Sequence, residues 1–137
     1  MKHFLSESAT WQTISEFVTP DGKISHAKGE SMISVSDMEI KNKSWAQLNG
    51  IKRTNDYKII SISPLEYIYE SLNPELGKQI GKFNIDRNTL FSKFKIEGTT
   101  INGYEVIRRE KDVCYAQGAL YDDDSLINTW TATMYRK

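Results

Sequence analysis

The sequence predicts an all-β domain, an antiparallel up-and-down meander closed into an eight- to ten-stranded barrel. Three observations carry that expectation. Runs of roughly 7–11 residues rich in Ile, Val, Thr, Tyr and Phe recur along the chain. The turn clusters between them are nearly all too short for a crossover helix, so neighbouring strands pair antiparallel. A meander of that many strands must also protect its edges, and closure removes them altogether.

The elements follow in order. Residues 3–9, "HFLSESA", form at most a turn or two of helix before Trp11. A first strand over 11–18 ends at "TPDGK", where Pro20 presets φ, Asp21 offers a local hydrogen bond and Gly22 accepts a positive φ. The second strand, 24–35, contains Gly29, which marks a bulge or a bend. Residues 38–48 make a third, and 57–63 and 65–72 flank Pro64. After the break "NPELG" the remaining strands are 78–85, 90–96, 104–110, 113–121 and 126–135. Residues 1–137 read as a single domain, with 1–9 an N-terminal segment and 10–137 the barrel.

Composition removes several classes of function. Eighteen basic residues balance eighteen acidic ones, so no global field favours nucleic acid or an anionic membrane. Cys114 is the only cysteine, which rules out an internal disulfide and a cysteine-based zinc site and fits a reducing compartment. "MKHFLSESATW" lacks the apolar stretch of a signal peptide, and no run approaches the ~20 residues of a transmembrane helix. A cytoplasmic location is therefore expected.

Short motifs add little. "GKQIGKF" has the wrong spacing for a phosphate loop, with Phe83 in place of Ser or Thr. "YDDDSL" lacks the glycine and distal glutamate of a calcium loop and reads as a hairpin turn. "NKS" at 42–44 fits a glycosylation sequon with no role in the cytoplasm. With only His3, in a tail, and His26, neither a metal site nor a cofactor is expected. His26, Lys28 and Glu30 share one strand face, either a solvent face or an acid/base trio.

Strand parity then selects the candidate site, because alternate side chains point to opposite faces. Tyr67 and Tyr69 make the better interior face of 65–72, and Leu126, Asn128, Trp130, Ala132 and Met134 that of the last strand. In "YEVIRRE", Tyr104 and Val106 resemble lining residues, so Arg108 is expected to face inward with them. The opposite parity would instead place Glu105 and Arg109 inside as an ion pair. For 113–121 neither face, Tyr115 with Gln117 or Cys114 with Ala116, is clearly the interior one.

Strand order over nearly the whole chain resembles the calycin superfamily of lipocalins, intracellular fatty-acid-binding proteins and their bacterial relatives. Trp11 looks like the tryptophan of the lipocalin Gly-x-Trp signature, with Ala9 in the glycine's place, and Arg136 looks like the arginine that packs across it. The stretch from Tyr104 is similar in layout to the last three strands of fatty-acid-binding proteins. That resemblance implies that Arg108 or Arg109 meets a ligand carboxylate. The family's second arginine, in an Arg-x-Tyr pair, has no match, since Thr133 precedes Met134 and Tyr135. The tight "TPDGK" turn leaves no room for that family's helical lid.

The expected function is a small-molecule binding protein holding a largely apolar or amphipathic ligand inside the barrel. Tyr67, Tyr69, Tyr104, Tyr115 and Trp130 would line it, and Arg108 would receive an anionic group. The alternative is a cofactor-independent barrel enzyme, a cyclase, isomerase or decarboxylase. It would use Glu30 as acid or base, Tyr69 or Tyr115 as proton donor and Arg108 as anion stabiliser.

Overall fold

The structure, a computed structural model, describes all residues from 1 to 137. Ten strands make up the chain: β1 (Ala9–Val18), β2 (Ile24–Val35), β3 (Ile40–Leu48), β4 (Ile51–Ser63), β5 (Glu66–Asn73), β6 (Gly77–Asp86), β7 (Thr89–Ile96), β8 (Ile101–Glu110), β9 (Val113–Asp122) and β10 (Ser125–Arg136). Each pairs antiparallel with its sequence neighbours, and β1 also pairs with β10, closing the barrel. No helix is long and apolar enough to cross a membrane.

Two elements differ from expectation. β4 starts at Ile51, six residues earlier than read, because Asn49 and Gly50, with φ of 52° and 77°, form a two-residue hairpin with β3. Positive φ at both central residues gives the twist that lets two strands leave such a turn in register. At the other correction, residues 4–7 form a turn and bend rather than a helix. The segment is not a tail: His3, Phe4 and Leu5 are buried.

Alternating strand directions give the barrel two unlike ends. At one end lie residues 1–8 and the turns after β2, β4, β6 and β8. Phe4 and Leu5 plug this end, packing with Trp11, Ile33, Ile40, Ile59, Leu90, Ile107 and Met134 in one apolar cluster. At the opposite end there are only the hairpin turns after β1, β3, β5, β7 and β9. The barrel is a cup with an apolar floor.

Arg109 ties the plug to the wall. Its guanidinium lies 5.1 Å from the Trp11 ring, donates to Glu7 Oε1 at 2.8 Å and to the His3 carbonyl at 3.2 Å, and its Nε donates to the Lys111 carbonyl at 2.7 Å. Arg136, at the floor rim, also donates to Glu7 Oε1 at 2.8 Å. The arginine stacked on Trp11 thus comes from β8 and not, as expected, from the end of the last strand. Hydrogen bonds from Lys2 and Arg109 hold the Glu7 carboxyl down at about 2. The plug is fastened by a charge-assisted network as well as by burial.

Three aromatic rings shape the interior of the cup. Tyr69, Phe94 and Trp130 each sit directly across from a glycine on the next strand: Gly81, Gly103 and Gly118. A methyl group on any of these glycines would lie 2.4–2.6 Å from the nearest ring carbon. The rings therefore lie flat over bare backbone instead of projecting across the barrel, and space is left along its axis.

Candidate functional site

Parity decides which expected residues meet. β8 turns Gly103, Glu105, Ile107 and Arg109 inward, and Tyr104, Val106 and Arg108 outward. Arg108 is exposed, bonds to Glu110 and lies 5.0 Å from the Tyr115 ring, which is itself on the outer face. Tyr104 and Tyr115 are 43% and 44% exposed. The physical reason is room: Gly103 must face the Phe94 ring, and β9 answers with small inward residues, Cys114, Ala116 and Gly118. The expectation that Arg108 faces inward is corrected, and the interior holds Arg109 instead, already engaged by Glu7.

Glu30 is also outside, accepting from Trp45 Nε1 at 3.3 Å and from Lys137 at 3.1 Å. His26, on the same outer face, lies 3.9 Å from Glu16. Of the acid/base set Glu30, Tyr69, Tyr115 and Arg108, only Tyr69 reaches the interior, so the structure does not bring that set together. Tyr67, Tyr69 and Trp130 do face inward, Tyr67 near the floor against His3 and Trp130 towards the mouth. Cys114 is fully buried, and burial pushes its thiol up to about 12, so it is an inert wall residue.

Sequence reasoning placed no weight on Glu105 except as the partner of an arginine. It is the one carboxylate facing the interior between the two rims. Trp130, two strands away, donates its Nε1 hydrogen to Glu105 Oε2 at 2.7 Å. Burial pushes the Glu105 carboxyl above its usual range, and the Trp130 bond offsets this only in part. Glu105 and Arg109 share a face without pairing with each other.

Beside Glu105, starting from its cross-strand neighbour Ser92 and running back to β4, lies a hydroxyl and amide network. Asn55 donates to the Tyr57 hydroxyl at 3.0 Å, and Ser71 donates to Asn55. The Tyr69 hydroxyl meets Ser92 Oγ at 3.0 Å, and Gln79 Nε2 lies 3.5 Å from it. Burial, followed by the charge of Glu105, pushes the Tyr57 hydroxyl far up. Burial likewise takes Tyr69 to about 12, against the pull of its two hydrogen bonds. The Tyr57 and Tyr69 rings meet edge to face at 5.7 Å, so both border one interior space.

This space is enclosed but not filled. Glu105, Tyr57, Asn128 and Trp130 are surrounded by the wall yet keep accessible surface, as do Thr13, Ser31 and Ser44 across the barrel. Floor residues such as Trp11, Leu90 and Cys114 have none. Inward side chains that keep accessible surface thus lie mainly on β1–β4, β8 and β10, whereas on β5–β7 packing reaches the mouth end, where Ser71, Gln79 and Ile96 are buried. A groove of about 680 Å³ also runs along the outer wall over β6–β9, between Lys82, Lys93, Lys95, Tyr104 and Tyr121. It is open to solvent and separate from the lumen.

No family model matches the chain, and no curated protein matches it in sequence. Solved structures do match in shape. The S-type phycobiliprotein lyase of Guillardia theta superposes with a TM-score of 0.71 at 8% identity, covering 95% of this chain and 88% of that one. Rv2717c from M. tuberculosis superposes with a TM-score of 0.76 at 9% identity, covering 95% and 92%. At such low identity the likeness establishes the fold alone: a closed antiparallel β-barrel.

Proposed function

We propose that the protein is a small-molecule binding barrel that takes a largely apolar ligand through its mouth into the lumen above the plugged floor. The observation that carries this is the accessible surface that inward side chains keep on one side of the barrel, above the fully buried floor residues Trp11, Leu90 and Cys114. Inward side chains in the floor half are buried, while those around Glu105, Tyr57 and Trp130 keep accessible surface inside the wall. A folded chain that needed only stability would fill that space, since unfilled volume costs contacts. The flat rings of Tyr69, Phe94 and Trp130 offer apolar faces, and the network around Tyr57 offers a few fixed polar atoms, the usual composition of a ligand site. The Guillardia theta neighbour, a phycobiliprotein lyase, is consistent with a functional interior in a barrel of this shape.

Native mass spectrometry of the protein purified from cells tests the reading. A retained mass of small-molecule size is expected, and it should vanish in Ser44→Trp, which fills the lumen from β3. A ligand retained equally by that folded variant would place binding elsewhere and sink the proposal.

One observation favours a second reading. Glu105 is a buried carboxyl held above its ordinary range beside two tyrosine hydroxyls, as acid/base catalysis requires. On that reading the barrel is a cofactor-independent enzyme with Glu105 as proton carrier. A ligand recovered chemically unchanged after prolonged incubation would leave the binding reading alone.

A further inference from the structure

Several polar atoms inside the barrel lack hydrogen-bond partners. Asn42 on β3 is only 9% exposed and directly opposite Tyr57, yet its Oδ1 has no hydrogen-bond partner. The Oδ1 of Asn128, two residues along the same face of β10 from Trp130, has none either. Glu105 accepts one bond, through Oε2, and its Oε1 accepts none. The two asparagine oxygens are shut off from the interior space, so of the three only Glu105 Oε1 is open to a ligand, and a carboxylate oxygen left without a donor is a strong chemical bias.

The charges in the lumen point the same way. By strand alternation no lysine faces the interior. The inward arginines lie at the two rims and are spoken for: Arg53 at the mouth by Glu75 at 3.1 Å, and Arg109 and Arg136 at the floor by Glu7. Nothing cationic is left to answer Glu105.

We infer that the lumen recognises an organic ammonium ion, an apolar body carrying a protonated amine, with the amine seated on Glu105 Oε1 and the body against the Trp130 side of the interior. This rests on the lumen-binding reading and reverses the ligand charge expected from Arg108. An ammonium group has three donors and no acceptor, so it supplies the donor that Glu105 Oε1 lacks. Seating it would leave Glu105 ionised and paired.

Three probes with one apolar body test this by calorimetry on the full chain: naphthylethylamine, naphthylethanol and naphthylacetate. The amine is expected to bind at least about tenfold more tightly than the alcohol, the range of a charge-assisted hydrogen bond, with the carboxylate weakest. In Glu105→Gln, which can still accept from Trp130, the amine should fall to the alcohol's affinity while the alcohol stays within about twofold. Glu105→Leu should likewise abolish the preference for the amine, which provides a second variant should the first not fold. An alcohol or carboxylate that binds as well as the amine overturns the ammonium assignment and leaves lumen binding intact. A preference for the amine that survives Glu105→Gln also overturns it. Failure of all three to bind protein freed of any retained ligand overturns the lumen reading and this one together.

Discussion

The Trp130 indole and the Glu105 carboxylate, from β10 and β8, meet across the inward Gly118 of β9 at 2.7 Å, and no other side chain bonds to that carboxylate. The glycine is what permits the contact, since a methyl group there would lie 2.5 Å from the indole ring. Ring, glycine and carboxylate form one unit.

Glu105 should make the protein less stable as pH rises. Its folded pKa is raised above the ordinary value of 4.5, so the native state holds its proton more tightly than the unfolded chain does. The stabilisation is complete below about 4.5 and is lost as pH rises through the folded pKa. Denaturant melts of Glu105→Gln and the parent from pH 4 to 8 should diverge, the variant gaining relative stability towards neutral pH. Parallel curves would show that the carboxyl is not buried as described.

His3 works in the opposite direction. Burial, then the charge of Arg109, lowers its pKa from 6.5 to about 4, and its Nδ1 accepts from the Leu5 amide at 3.1 Å. The unfolded chain takes up this proton first, so stability falls as pH drops from 6.5 towards 4 and levels below that. The loss is expected to be at most about 3 kcal/mol, reduced by solvent screening of the partly covered ring. His3→Gln should flatten that limb of the curve, and hydrogen exchange of residues 1–8 should accelerate across the same window in the parent only.

Arg109→Met should loosen the plug. It removes the ring contact with Trp11 and the bonds to Glu7, His3 and Lys111, leaving Glu7 without its buried partner. A cost of about 3 kcal/mol is expected, with residues 1–8 becoming the first site of limited proteolysis. Arg109→Lys keeps the charge but not the fork of donors and should recover less than half of the loss.

Arg108→Ala is the matching control, one residue away. An exposed arginine paired with Glu110 should change stability by less than about 0.5 kcal/mol and leave lumen binding untouched. A large effect on binding would restore the arginine to the interior and refute the register of β8.

Glycine substitutions should split by what their methyl group meets. At Gly29 it would strike the Trp45 carbonyl oxygen, fixed backbone, at 2.0 Å; at Gly81 it would strike the Tyr69 ring, which can swing away. Gly29→Ala should cost about 3 kcal/mol or prevent folding, while Gly81→Ala should fold and lose ligand affinity as Tyr69 is pushed into the lumen. Thermal melts and the naphthyl probes separate the two outcomes.

The meander was legible because period-two patterning and turn chemistry are local. The Asn49–Gly50 turn carried a signal of the same kind, and β4 was read short because its first residues, Lys52, Arg53 and Asn55, look like loop. The facing of β8 was harder. Tyr104 and Val106 are the more apolar set, but in a barrel with a wet lumen apolarity does not mark the inner face, and Tyr104 spends its ring on the outer groove. The readable clue was Gly103, which like Gly81 and Gly118 sits opposite an aromatic residue. Glycines within strands predict where rings lie flat, and through them which neighbours face inward. The orphaned oxygens of Asn42 and Asn128 had no signature in the sequence, because an acceptor becomes orphaned only once the barrel has closed.

The floor plug has a kinetic consequence. A vessel sealed at one end by Phe4 and Leu5 has no through-traffic, so whatever enters the lumen must back out past the hairpins after β1, β3, β5, β7 and β9. Arrival and departure share a single door, and the turns around it, more than the strands, would set how long a guest stays.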